Sequence, residues 1–194
     1  SVSGSEQAFV RQMNLRAQAL GLRQTHFANP HGLDSGENYS SARDLAMLAQ
    51  AALQNQQFRT VVGTKTITCA GRTLTNHNKL LWRYDGCIGV KTGYTRAAGR
   101  CLVFGARRDG LEVIGVVLNC ANWFDEAARL MDLGFERYEG FTALSEGETV
   151  RVLPVTDGTQ DTVYICAGAD LTAPVPKGEI PSLEYDMPDS LPAG

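Results

Sequence analysis

No cysteine in this sequence stands close enough to another to suggest a metal site. The five, Cys69, Cys87, Cys101, Cys120 and Cys166, include no C-x-x-C pair, so the spacing that zinc asks for is missing and no metal is expected. Their odd number excludes a complete disulfide framework, and they read as buried free thiols packing as small hydrophobes. Neither sign of charge dominates: the net charge is −3, with 20% charged residues. That balance gives no footprint for nucleic acid or for a membrane surface. Long apolar runs are also lacking. The longest charge-free apolar-rich stretch, Val113 to Phe124, is too short to span a bilayer. There is no secretory signal pattern and no initial Met before Ser1-Val2-Ser3-Gly4, so the chain reads as one that starts mid-protein.

What is present fits one good core plus part of another, at 194 residues with 43% hydrophobic content. A first helix is expected over Glu6–Leu20, with Phe9, Val10, Met13, Ala17 and Leu20 at helical spacing. Ser3-x-x-Glu6 offers a capping box, with Ser5 as a rival cap and Gly21 as the stop. Thr25 to Tyr39 is a long loop rich in Asn, Pro, Gly and Asp, and it carries His26 and His31. Ser40 and Ser41 then cap a second helix with a stripe of Leu45, Leu48, Ala49, Ala52 and Leu53. A short helix over Gln57–Val62 and a hairpin across Ala70-Gly71 follow.

Three apolar runs, Cys87 to Val90, Cys101 to Ala106 and Leu111 to Leu118, read as an antiparallel meander. Asp109-Gly110 supplies its second turn. The first run closes on Lys91-Thr92-Gly93, and Tyr94 comes next. A helix over Trp123–Tyr138 follows, with Asn122 as cap. Near Glu139-Gly140 helical periodicity ends. Strand-like runs over 149–155 and 162–167, with prolines at 174, 176, 181, 188 and 192, mark a β-rich tail. Two domains are therefore expected: residues 1–140, helices packed on an antiparallel sheet in an α+β arrangement, and 141–194, the start of an all-β module.

A strand bearing Lys-Thr-Gly beside a cleft has a physical use. Gly93 lets a ligand backbone lie close, so an extended peptide can add as a further strand. Thr92 can hydrogen-bond a carboxylate while Lys91 supplies a positive field. The amide N–H of Tyr94 can face a developing oxyanion. His31, on the long loop, is a lesser candidate for the same binding role. The tripeptide alone is weak evidence, since it recurs by chance in roughly one chain in twenty of this size.

Its surroundings are more specific. Asn76-His77-Asn78-Lys79-Leu80-Leu81-Trp82, the run Gly86 to Thr95 with Ala98-Gly99, the stretch Thr25 to Asp34 with Tyr39 to Asp44, and Leu118 to Phe124 together resemble the low-molecular-mass penicillin-binding proteins that are D-alanyl-D-alanine carboxypeptidases. The resemblance covers about residues 5 to 140, and the tail resembles the start of that family's C-terminal β domain. It implies a serine enzyme, without metal or organic cofactor, on the outer face of the cytoplasmic membrane. Its ligands would be peptidoglycan stem peptides ending in D-Ala-D-Ala, and β-lactams; nucleic acid is not among them.

The family's chemistry uses Ser-x-x-Lys, Ser-x-Asn and Lys-Thr-Gly. Here residues 62, 76, 88 and 174, three before the four lysines, are Val62, Asn76, Ile88 and Pro174, and none of the eight asparagines has Ser two residues before it. Both serine motifs are absent. The chain therefore resembles the C-terminal part of such an enzyme, with three of five sheet strands. It is expected to hold an N-terminal fragment of the same protein, or a second copy, at the open sheet edge, and to be inactive alone. Trp123 stands where many members carry an Arg close to the substrate carboxylate. Arg83, Arg96 and Arg100 read as solvated surface. Two other readings share the strand: a β-lactamase-like Ser-x-x-Lys hydrolase, and a non-catalytic module binding peptidoglycan peptides.

Overall fold

The structure is a computed structural model describing residues 2–156 and 158–192. The chain divides into two compact units: residues up to Arg108 with Glu112–Gly134, and Asp109–Leu111 with the chain from Phe135 onward.

In the first unit, α1 spans Glu6–Ala19. The cap is Ser5, whose hydroxyl accepts from the Ala8 amide, while Ser3 instead bonds Gln12. Leu20 is the C-cap rather than the last helical residue. Only Ala17 of the expected apolar face is fully buried, and Phe9 is 38% exposed. Helix α2 runs Ala42–Leu53 from its cap Ser41, and α3 runs Gln56–Gly63 from Asn55. Strands β1 (Thr66–Cys69) and β2 (Arg72–Thr75) pair as a hairpin through Ala70 and Gly71, both at positive φ. Leu80–Arg83 then forms α4, a single turn too short to show a periodicity.

The meander is the centre of this unit. Strand β3 is Cys87–Thr95, β4 is Gly99–Arg108 and β5 is Leu111–Val117, in spatial order β3-β4-β5. Lys-Thr-Gly does not end its strand, because β3 continues two residues further to Thr95. Asp109 and Gly110 both take positive φ in the β4–β5 turn, the type I′ geometry that matches strand twist. Helix α5, Trp123–Arg137, follows β5.

Pleating sorts the side chains into two faces. Val90, Leu102, Phe104 and Ala106 share one face and are buried, the last three completely. On that face α5 lies so close that a Cβ on Gly134 would stand 2.9 Å from Val113. Ala127 and Met131 of α5 are fully buried. The other face receives α3. Val62 lies against Gly89, and Arg59 donates to Glu112 at 2.6 Å. The sheet is thus held between helices by the alternation of its own residues. Tyr84, between α4 and β3, donates to Asp132 at 2.6 Å under the Arg108 guanidinium. Burial and then that carboxylate push its phenol up to about 12.

The second unit contains β6 (Tyr138–Leu144) paired with β9 (Leu171–Pro176), and β7 (Thr149–Thr156) lying between β8 (Thr162–Cys166) and β10 (Leu191–Pro192). Among its described residues Leu111, Leu153 and Val175 are buried. The cysteines are free, as expected, but not buried: Cys69 and Cys166 are exposed and the other three half-buried. Cys69 and Cys166 end strands, at a hairpin turn and beside a loop, where no second layer covers them.

Gly115 gives a direct test of the packing, since an added Cβ would stand 2.4 Å from the ring of fully buried Phe104. Gly115→Ala should destabilise the protein by about 1–3 kcal/mol through overpacking. Urea unfolding measures it, and an unchanged midpoint would contradict this packing.

Candidate functional site

Among the described residues, strand β3 is hydrogen-bonded to a neighbouring strand on one side only, through β4. Its register sets Lys91 opposite Val103, Thr92 opposite Leu102, Gly93 opposite Cys101 and Tyr94 opposite Arg100. By the pleat, Thr92 and Tyr94 share the α5 face with Arg100, whereas Lys91 and Gly93 lie on the α3 face. Lys91, Gly93 and Tyr94 are exposed and Thr92 is half-buried. The structure therefore places all four residues on one accessible strand edge.

Gly93 is informative because its φ is ordinary and an added Cβ would meet nothing within 4 Å. Neither backbone strain nor crowding within the chain calls for glycine there. Open space beside a strand is what a ligand backbone needs for close approach. The Lys91 ammonium bends back to donate to the Thr92 carbonyl, so its charge stays at the edge. Just beyond, the Thr95 hydroxyl accepts from the Ala98 amide at 2.9 Å and fixes the β3–β4 turn.

A cleft of about 740 Å³ lies in the same unit, walled by Trp82, Trp123 and Phe124 and rimmed by His77, Lys79 and Arg100. It includes neither Lys91 nor Thr92 in its lining. Trp123 packs at the helix start, its ring 4.8 Å from that of Phe124, and also faces this cleft. The cleft has little local signature, because its walls come from β2, α4, β4 and α5, which only the fold assembles. Arg100, read as surface from the sequence, is exposed yet tied down: its guanidinium donates to the Ala121 carbonyl at 2.9 Å.

His31 is not brought to this edge by any hydrogen bond among the described residues. It is exposed, and its Nδ1 accepts from the Leu33 amide at 3.2 Å. The loop that carries it is pinned at both ends. His26 and Tyr39 form an antiparallel bridge, and the buried Asp44 carboxylate accepts from the Gln24 amide and the Thr25 hydroxyl, each at 2.8 Å. Burial pushes the Cys87 thiol above its ordinary value, which works against thiolate formation there. Among the described residues no cluster of three His, Cys, Asp or Glu could hold a metal, and no helix is long and apolar enough to cross a membrane.

An antiparallel sheet between helices, with Lys-Thr-Gly on an accessible edge, defines the class of penicillin-binding transpeptidase-like domains. The comparisons agree. The family profile described as D-alanyl-D-alanine carboxypeptidase matches residues 1–122, and the chain belongs to that family. It is 33% identical to the D-alanyl-D-alanine carboxypeptidase DacF of Bacillus subtilis over 92% of this chain and 48% of the relative. It is 42% identical to the D-alanyl-D-alanine carboxypeptidase of Streptomyces sp. K15 over 69% of this chain and 52% of the relative. Among solved structures, a peptidoglycan synthesis regulatory factor (PBP3) of Streptococcus pneumoniae superposes with a TM-score of 0.83 at 25% identity, over all of this chain and 60% of that one. The chain spans about half the length of the curated relatives it matches.

The Asp44 network carries a pH signature. The Thr25 hydroxyl, foremost, and the Gln24 amide hold its carboxyl below the ordinary value of 3.8. A carboxyl lowered on folding stabilises the fold above its unfolded pKa, and that contribution fades as pH falls through the folded value. Asp44→Asn should therefore lower the urea midpoint at pH 7, with the gap to the parent closing below about pH 4. A gap that stays constant into acid would contradict the charge's role.

Proposed function

We propose that this chain is the C-terminal part of a serine D-Ala-D-Ala carboxypeptidase that removes the terminal D-Ala from peptidoglycan stem peptides. On this reading residues 1–140 belong to the penicillin-binding domain and 141–194 begin a β-rich one. The observation that carries the reading is the accessible β3 edge, with open space at Gly93 between Thr92 and Tyr94. A peptide ending in D-Ala-D-Ala lies along this edge as an added strand. Thr92 bonds its carboxylate, Lys91 provides the field, and the Tyr94 amide donates to the carbonyl oxygen as negative charge develops there.

The attacking hydroxyl comes from outside this chain, from a Ser-x-x-Lys segment whose lysine takes the serine proton. The serine oxygen bonds the penultimate D-Ala carbonyl carbon, the peptide C–N bond breaks, and the departing D-Ala amine receives a proton. Water then cleaves the acyl-enzyme ester. The site lies in the cell envelope, outside the cytoplasmic membrane, and β-lactams occupy the same edge. Strands β3 and β5 each have one unpaired side among the described residues. An N-terminal fragment of the same protein, or a second copy, supplies the missing strand pairing.

Labelling with fluorescent penicillin tests this. The chain alone should give no covalent band. The chain assembled with a polypeptide carrying Ser-x-x-Lys and Ser-x-Asn should give one that survives denaturation. A band on the chain alone would overturn the division of labour, and no band on the assembled protein would favour a non-catalytic binding module.

A further inference from the structure

The cleft of about 740 Å³ lies wholly within the first unit and takes no residue of the β3 edge into its lining. Both tryptophans of the chain, Trp82 and Trp123, stand in its wall. Trp82 is 47% exposed, although its neighbours Leu80 and Leu81 are buried. A large apolar ring left open in a concavity is a feature of binding surfaces. The Trp123 and Phe124 rings meet at 42°, so they make an angled wall and not a slot between parallel faces. His77, Lys79 and Asn122 rim the cleft, and among the described residues none of their side chains has a hydrogen-bond partner. Asn76 holds the loop that carries His77 and Lys79. Its Nδ2 donates to the Val62 and Thr64 carbonyls, and its Oδ1 accepts from the Asn78 amide.

Charge narrows the occupant. Arg83 is paired with Asp125 at 3.2 Å, so those two charges answer each other. Lys79 has no carboxylate partner among the described residues, and Arg100 donates to the Ala121 carbonyl. The cleft is therefore locally positive in a chain of net charge −3, which favours an anionic ligand. Ring geometry narrows it further. A flat heterocycle is best held between parallel rings, whereas a puckered sugar fits an angled wall. The C–H bonds on one face of a pyranose carry partial positive charge and meet the negative face of an indole. His77, Lys79 and Asn122 then stand where hydroxyl and N-acetyl groups need donors and acceptors. The volume lies in the range of about 300–1,000 Å³ that small-ligand sites occupy.

We propose that this cleft binds the glycan of peptidoglycan, as an N-acetylmuramyl sugar bearing the acidic start of its stem peptide. Trp82 is the stacking platform, and Lys79 faces the carboxylates next to the sugar. The identity of the polymer rests on the peptidoglycan reading above. The cleft adds to that reading a sugar contact separate from the β3 edge.

Tryptophan fluorescence of this chain tests the proposal, because every tryptophan it has lies in the cleft. The probes are N-acetylmuramyl-L-alanyl-D-glutamate, the dipeptide L-alanyl-D-glutamate without its sugar, and the neutral disaccharide chitobiose. The muramyl ligand should give a saturable change in emission, and the bare dipeptide none. Chitobiose should need about tenfold more ligand, for want of the charge-assisted contact. Trp82→Ala, read through Trp123, should weaken muramyl binding about tenfold. Lys79→Gln removes an exposed charge that bonds nothing in the chain, and it should narrow the gap between the muramyl ligand and chitobiose. Equal binding of the bare dipeptide would overturn the sugar assignment, as would a Trp82→Ala variant that binds like the parent. No saturable change with the muramyl ligand would overturn the cleft proposal alone, since binding of a D-Ala-D-Ala peptide at β3 is read separately by amide exchange in that strand.

Discussion

The one-sided antiparallel pairing of β3 with β4 is the constraint from which the rest follows. Its register decides which side chains share a face, and so joins a buried core to an accessible edge in a single strand. Val90 meets Phe104 inside the core, and two and four residues later Thr92 and Tyr94 emerge on the same face at the accessible end. A slip of one residue would send Thr92 to the α3 face and Val90 away from Phe104. The same buried contacts that stabilise the sheet therefore hold the site in register, with Phe104 seated in the space left by Gly115.

Much of this was legible in the sequence because local chemistry and long-range packing agree. Ser41 caps α2 by accepting from the Asp44 amide, three residues on. Asp109-Gly110 folds the turn that its residue types favour, and the apolar runs became the meander strands. The four residues from Lys91 to Tyr94 lie together on β3 with an accessible edge. What the sequence hid was whatever the fold assembles from distant segments. The α1 face, apolar by spacing, is mostly half-buried, because periodicity gives the direction of a face but not what covers it. The cleft of Trp82, Trp123 and Phe124 has no local signature. Arg100 is surface, as read, and its tie to the Ala121 carbonyl needed the fold to bring β4 and the β5–α5 link together.

The division between rigid and accessible parts also has a physical basis. Residues buried on both sheet faces cannot contact a ligand, and the exposed run from Lys91 to Tyr94 contributes little burial to the core. Its geometry is instead inherited from ladder pairing with β4 and from the Thr95–Ala98 turn bond. The pinned loop from His26 to Tyr39 is a similar case, in which Asp44 sets backbone conformation from a distance through amide and hydroxyl donors. Family membership and fold agree with this construction over the first unit, where the profile match also lies.

The central claim is that the free side of β3 accepts a peptide ending in D-Ala-D-Ala as an additional strand. Amide hydrogen exchange, measured on this chain with and without such a peptide, addresses it most directly. The account predicts slowed exchange at amides within Lys91–Thr95 and unchanged exchange in the β1–β2 hairpin. Saturating peptide that slows no amide of β3 would contradict it.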